Sequence, residues 1–156
     1  MAEEMQMVVF KLKQQDMVSE YGVSVTTVQE IIPMTPPTKL PQTPDFIEGI
    51  INLRGRVIPI IDLKKRFNMG TSELTAESRS VVVEVGGKTV GIIVDEVSEV
   101  MRLPLDNIEP PPAVMGAIAS EYITGVGKLD NRLLILLDMD KIFNEGERTE
   151  LYDFAV

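Results

Sequence analysis

The residues that could do chemistry are few, and most are carboxylates. Asp62 and Asp138 each follow an apolar run, in "VIPIIDL" and "LLILLDM", and Asp95-Glu96 follows "GIIV". A carboxylate pair can serve general acid–base or metal chemistry when two groups are held a few ångströms apart. The chain has no His and no Cys, which removes the commonest general base, the commonest metal ligand and any thiolate nucleophile. No Ser lies in a nucleophile-elbow motif, and no Gly-rich phosphate loop is present. The segment "LDNRLLILLDMDKIF" carries Asp, Asn and Asp without the tight spacing around Gly of a calcium loop. Asp62 and Asp138 stand where a short helical turn would begin, so capping is the expected role. The sequence therefore reads as a protein that is not an enzyme and carries no cofactor and no metal. One further charged constellation stands out. Arg54 occupies a predicted turn, and Glu30 lies on a strand expected beside it. They are either an oriented ion pair or two independent surface charges.

The elements that must position these groups are short strands. The 156 residues are 44% apolar, enough for one domain or two small modules packed together. With 15 basic and 24 acidic residues the net charge is -9, which disfavours nucleic acid and anionic membrane surfaces. The acidic start "MAEEMQMVVF" has no basic segment before an apolar stretch, and no apolar run is long enough to span a bilayer, so a cytoplasmic protein without membrane insertion is expected. Apolar runs broken by Arg54-Gly55, Gly86-Gly87 and Asp130-Asn131 predict hairpins, and many such runs at short spacing predict an all-β barrel or sandwich. Short helical turns are expected at Leu63–Phe67 and Met139–Phe143.

The chain also repeats itself. At an offset of 76, Ile47, Gly49, Leu53, Arg56, Asp62, Lys65 and Phe67 fall on the identical Ile123, Gly125, Leu129, Arg132, Asp138, Lys141 and Phe143. At an offset of 69, Gly22, Val25, Val28 and Glu30 fall on Gly91, Val94, Val97 and Glu99. One β unit is thus written twice, joined near residues 68–77. With about five strands each, the copies suit two small barrels related by a pseudo-two-fold. The expected division gives residues 14–67 to one barrel and 78–143 to the other, with 1–13 a strand of either and 144–156 a tail. "GIINL" and "VIPIIDL" are apolar on both faces. One face would fill its own barrel and the other would meet the sister barrel, with any remainder left as an exposed apolar strip that marks a protein-binding site.

The stretches "YGVSVTTVQEII", "FIEGIINLRGRVIPIIDLKKRF", "VGIIVDEVSEV" and "GVGKLDNRLLILLDMDKIF" together resemble the CheW family, the coupling proteins of bacterial chemotaxis, over nearly the whole chain. The resemblance implies a single CheW-like domain over residues 1–156 built of two five-stranded SH3-like barrels. It also implies a non-catalytic adaptor between the cytoplasmic tips of methyl-accepting chemoreceptors and the regulatory domain of the histidine kinase CheA, recruited to membrane-associated receptor arrays. Carried onto this sequence, the receptor groove takes Val28, Glu30, Gly49, Asn52 and Arg54, with Ile92 and Val94 from the second copy. Kinase contact falls on Leu40 and Pro41. The loop in "KQQDMVSE" reads as longer than the family's usual tight connection. Two other readings remain: a small β-barrel binding a ligand or RNA, disfavoured by the net charge and the absence of Trp, and a CheW-like unit of a non-chemotaxis chemosensory system.

Overall fold

The computed structural model describes residues 3–67, 69–70, 72–112 and 121–142. The expected tail 144–156, and Phe143 at the end of the second helical turn, lie outside the described residues. Among the described residues eleven strands form two mixed sheets. In chain order they are β1 (Glu4–Gln14), β2 (Met17–Ser24), β3 (Val28–Pro33), β4 (Ile47–Leu53), β5 (Arg56–Asp62), β6 (Arg79–Val85), β7 (Lys88–Val94), β8 (Glu96–Pro104), β9 (Ile108–Glu109), β10 (Ile123–Leu129) and β11 (Arg132–Leu137). One sheet has the order β3-β6-β7-β5-β4 and the other β8-β1-β2-β11-β10-β9. They are the two SH3-like barrels.

The repeat governs the pairing. β5 runs parallel to β7, with Ile60 level with Gly91, and β11 runs parallel to β2, with Leu136 level with Gly22. These are the same positions under the two offsets. The bulge between Ile47 and Gly49 recurs between Ile123 and Gly125. Asp62 accepts the Lys64 N–H at 3.1 Å and Asp138 the Asp140 N–H at 3.0 Å, so both cap the turns they were expected to cap.

The expected division of the chain does not hold. The first barrel is β3, β4 and β5 of the first copy with β6 and β7 of the second. The other is β1 and β2 of the first copy with β8 to β11. Residues 1–13 are thus not interchangeable between barrels, because β1 lies between β2 and β8. A repeat identifies equivalent residues, not the sheet they join. The leading hairpin of each copy crosses to the other barrel, the chain turning at Val25–Thr27 after β2 and at Asp95 after β7. The "KQQDMVSE" segment is also not a long loop. Lys13 pairs with Val18 and Gln14 with Met17, leaving a two-residue turn at Gln15-Asp16 with Gln15 at φ 55°.

Crossing hairpins explain the doubly apolar strands. Inside the first barrel Ile58, Ile60 and Ser80 close on Gly91. Inside the second, Met7, Val9, Leu103, Leu134 and Leu136 cluster together. The alternate side chains, Val8, Phe10, Leu12 and Val23 from one sheet and Ile61, Val81, Val83, Ile92 and Val94 from the other, join in a seam between barrels. Phe10, Tyr21, Phe67 and Tyr122 stack through it at ring spacings of 5.8, 5.9 and 5.2 Å, within the range of favourable aromatic pairs. The sister barrel is what covers the second face.

Candidate functional site

The Arg54 turn is built by local chemistry. Arg54 has φ 52° and Gly55 φ 85°, and the Asn52 side-chain carbonyl accepts the Gly55 N–H at 2.8 Å. A hairpin turn with two left-handed residues matches the twist of its strands. β3 and β4 are opposite edges of their sheet, so hydrogen bonding alone does not join them. The curl of the barrel brings Glu30 on β3 to the β4–β5 turn, where Arg54 donates Nη1 to Oε2 at 2.6 Å and Nη2 to Oε1 at 2.8 Å. This planar two-bond fork is the strong form of a carboxylate–guanidinium contact. It decides between the two sequence readings in favour of an oriented pair. The hydrogen bonds from Arg54 hold the Glu30 carboxyl below its usual range, and Glu30 raises Arg54 in turn.

The sign follows directly. A lowered folded pKa gives a contribution present above the ordinary Glu value and lost as pH falls through the lowered one. Both groups meet solvent, so the pair sets geometry more than stability. Following the Glu30 carboxyl carbon by NMR should give a midpoint below the ordinary glutamate range in the native protein, rising in Arg54→Ala. An unchanged midpoint would mean that the fork does not persist in solution.

The partly exposed apolar side chains of β3 lie on the seam face, where Ile31 is level with Val81 and Val28 with Val83, whereas Glu30 is level with Val82 on the other face. Ile31 is 37% and Val57 38% exposed, and Val28 is half-buried against the seam. The remaining expected positions fall differently. Ile92 and Val94 are 1% and 0% exposed; β7 is an interior strand with the seam on that face, so neither lies on an open groove. Gly49 is also buried, at φ 151°, and a Cβ there would stand 2.3 Å from the Thr38 carbonyl oxygen. Its job is to let the Pro-rich loop close on β4, where Thr38 and Ile50 exchange backbone hydrogen bonds of 2.8 and 2.9 Å. Leu40 and Pro41 follow in that loop, Leu40 partly buried and Pro41 exposed.

A second charged rim went unread in the sequence. On the other barrel Arg132 donates Nε and Nη2 to Glu20 at 3.1 and 2.6 Å and Nη1 to Glu99 at 3.3 Å. Glu99 is the repeat partner of Glu30 and Arg132 that of Arg56, so the offsets already pointed to it. In the first barrel Arg56 meets Thr89 at 3.0 Å where its partner meets Glu20, which leaves Glu30 to Arg54. Among the described residues no group of three or more His, Cys, Asp or Glu stands together, and no helix is long and apolar enough to cross a membrane.

Paired SH3-like barrels with exchanged hairpins, a forked ion pair on one rim and apolar side chains beside it define a binding scaffold. The CheW-like domain family model matches residues 6–147, and the chain belongs to that family. It is 41% identical over 128 residues to the chemotaxis protein CheW of Klebsiella aerogenes, covering 82% of this chain and 77% of that protein. It is 36% identical over 126 residues to the CheW of Bacillus subtilis, covering 81% of each. The crystal structure of the scaffolding protein TtCheW from Thermoanaerobacter tengcongensis superposes with a TM-score of 0.80 at 38% identity, covering 94% of this chain and 92% of that one. The family is one of non-catalytic scaffold proteins of chemotaxis, and its paired-barrel fold is the one described here.

Proposed function

We propose that this protein couples methyl-accepting chemoreceptors to the histidine kinase CheA in the cytoplasm, holding the receptor's helical hairpin tip beside the Glu30–Arg54 clamp. The observation that carries this reading is the clamp itself. An exposed Arg and a partly exposed Glu are held in one geometry by a two-bond fork, and Val28, Ile31 and Val57 present partly exposed apolar surface on the strands that carry it. An apolar helix face laid over such a surface is a familiar recognition mode, and an oriented Arg at its margin supplies specificity. Asn52 supports the turn rather than the partner. The kinase regulatory domain would dock elsewhere, on the loop that carries Leu40 and Pro41.

The variant Arg54→Glu tests this. It sets a like charge against Glu30 on an exposed rim, so the fold should survive, because the turn rests on Gly55 and Asn52. Titrated against a receptor-tip hairpin, it should bind at least about tenfold more weakly than the native protein, with kinase-domain binding and melting temperature unchanged. Undiminished hairpin binding would remove Arg54 from the site. Unfolding would make its role structural.

A further inference from the structure

A cavity opens on the second barrel. It has a volume of about 440 Å³, within the range of small-molecule sites. Met5, Leu105 and Ile108 supply its accessible apolar wall, with the buried side chains of Met7, Leu136 and Met139 beneath it. Three of the six are thioethers, which make favourable contacts with aromatic rings. The hydroxyls of Thr27 and Thr124 on the lining already donate to backbone carbonyls, of Ser24 at 2.8 Å and Leu136 at 3.4 Å. Among the described lining residues the one charged side chain is that of Asp138.

The repeat shows what is unusual about Asp138. Its partner Asp62 is saturated: Oδ1 accepts from the Lys64 N–H and the Ser72 hydroxyl, and Oδ2 from the Ser72 N–H. Asp138 caps Asp140 through Oδ1, while its Oδ2 accepts from no described residue. A carboxylate oxygen without a donor at the edge of an apolar cavity favours a cationic hydrogen-bond donor. The net charge of -9 acts in the same direction.

We propose that this cavity binds an amphipathic organic cation, an aromatic body seated against Met5, Leu105 and Ile108 over the Met7 and Met139 thioethers, with its ammonium group on the Asp138 carboxylate. The site is separate from the clamp and does not depend on the coupling role. It is tested on the full chain carrying ¹³C-methyl methionine, with tryptammonium as the probe and tryptophol and indole-3-propionate as its neutral and anionic counterparts. Saturable shifts are expected at Met5, Met7 and Met139 and not at Met17 or Met69. Tryptammonium should bind about tenfold more tightly than tryptophol, the worth of one charge-assisted hydrogen bond at a partly exposed site, and the anion should bind most weakly. Asp138→Asn keeps the cap, since Asn caps as well as Asp, and should reduce tryptammonium to the affinity of the alcohol. Absent shifts, shifts spread equally over Met17 and Met69, equal binding of ammonium and alcohol by the native protein, or an undiminished preference in Asp138→Asn would each overturn the proposal.

Discussion

Asp95→Ala is expected to cost about 3–5 kcal/mol of stability, the range for breaking a buried ion pair by removing one partner. Asp95 is the single residue between β7 in the first barrel and β8 in the second. Its Oδ2 accepts the Lys13 N–H at 2.6 Å and meets the Lys64 ammonium at 3.0 Å, and its own N–H donates to the Lys11 carbonyl at 3.1 Å. Lys13 and Lys11 belong to one barrel and Lys64 to the short helix α1 (Leu63–Arg66) that ends β5 of the other. Both side chains of the ion pair are only 9% exposed. Deleting the carboxylate leaves an ammonium group buried without its counter-ion. The attraction between barrels does not depend on this pair. It comes from the apolar seam, where each fully buried side chain contributes roughly 1.5–3 kcal/mol. The pair fixes the register of the crossover instead. Urea unfolding should therefore show a large loss in Asp95→Ala and a partial recovery in Lys64→Met/Asp95→Ala, where no charge is stranded. A loss under about 1 kcal/mol, the value of a surface pair, would show that the two groups are solvated.

Gly49→Ala and Gly55→Ala should differ sharply although both glycines have positive φ. Gly55 has nothing within 4 Å of a new Cβ, so its variant bears only the conformational cost, about 1 kcal/mol. Gly49 adds a Cβ at 2.3 Å from a backbone oxygen and 2.8 Å from its carbon, and a backbone cannot swing aside as a side chain can. Either the Thr38–Ile50 bridge opens or β4 shifts, and a loss of about 3 kcal/mol or more is expected. Since that bridge also positions Leu40 and Pro41, kinase binding should weaken in Gly49→Ala and not in Gly55→Ala. Equal unfolding midpoints for the two variants would contradict this account of Gly49.

Much of this was legible in advance because the chain states its β unit twice. The offsets of 76 and 69 anticipated the hairpins, the capping role of Asp62 and Asp138 and the covering of doubly apolar strands by a sister barrel. Exchange of hairpins was not legible. Val23 and Ile92 carry the same apolar pattern whichever sheet receives them, and the crossovers are a three-residue turn and a lone Asp95 without a distinct signature. The resemblance, carried to the second copy, put Ile92 and Val94 on a groove, and their apolar character does not separate a face turned to a sister barrel from one turned to a partner. Gln15 and Asp16 looked like part of a longer loop because polar residues flank them, yet cross-strand pairing carries both strands to the turn. The Glu30–Arg54 fork was suggested by residue type but needed barrel closure to decide it, since the strand of Glu30 pairs with neither strand flanking the Arg54 turn. The free oxygen of Asp138 needed the environment of Asp62 for comparison.

The proposed coupling role requires one small protein to hold two partners at once on separate faces. It is tested most directly by calorimetric titration of the CheA regulatory domain into this protein already saturated with a receptor-tip hairpin. Saturable binding to the preformed complex is expected, with an affinity close to that for the protein alone. Displacement of the hairpin, or no binding of the kinase domain to either form, would contradict it.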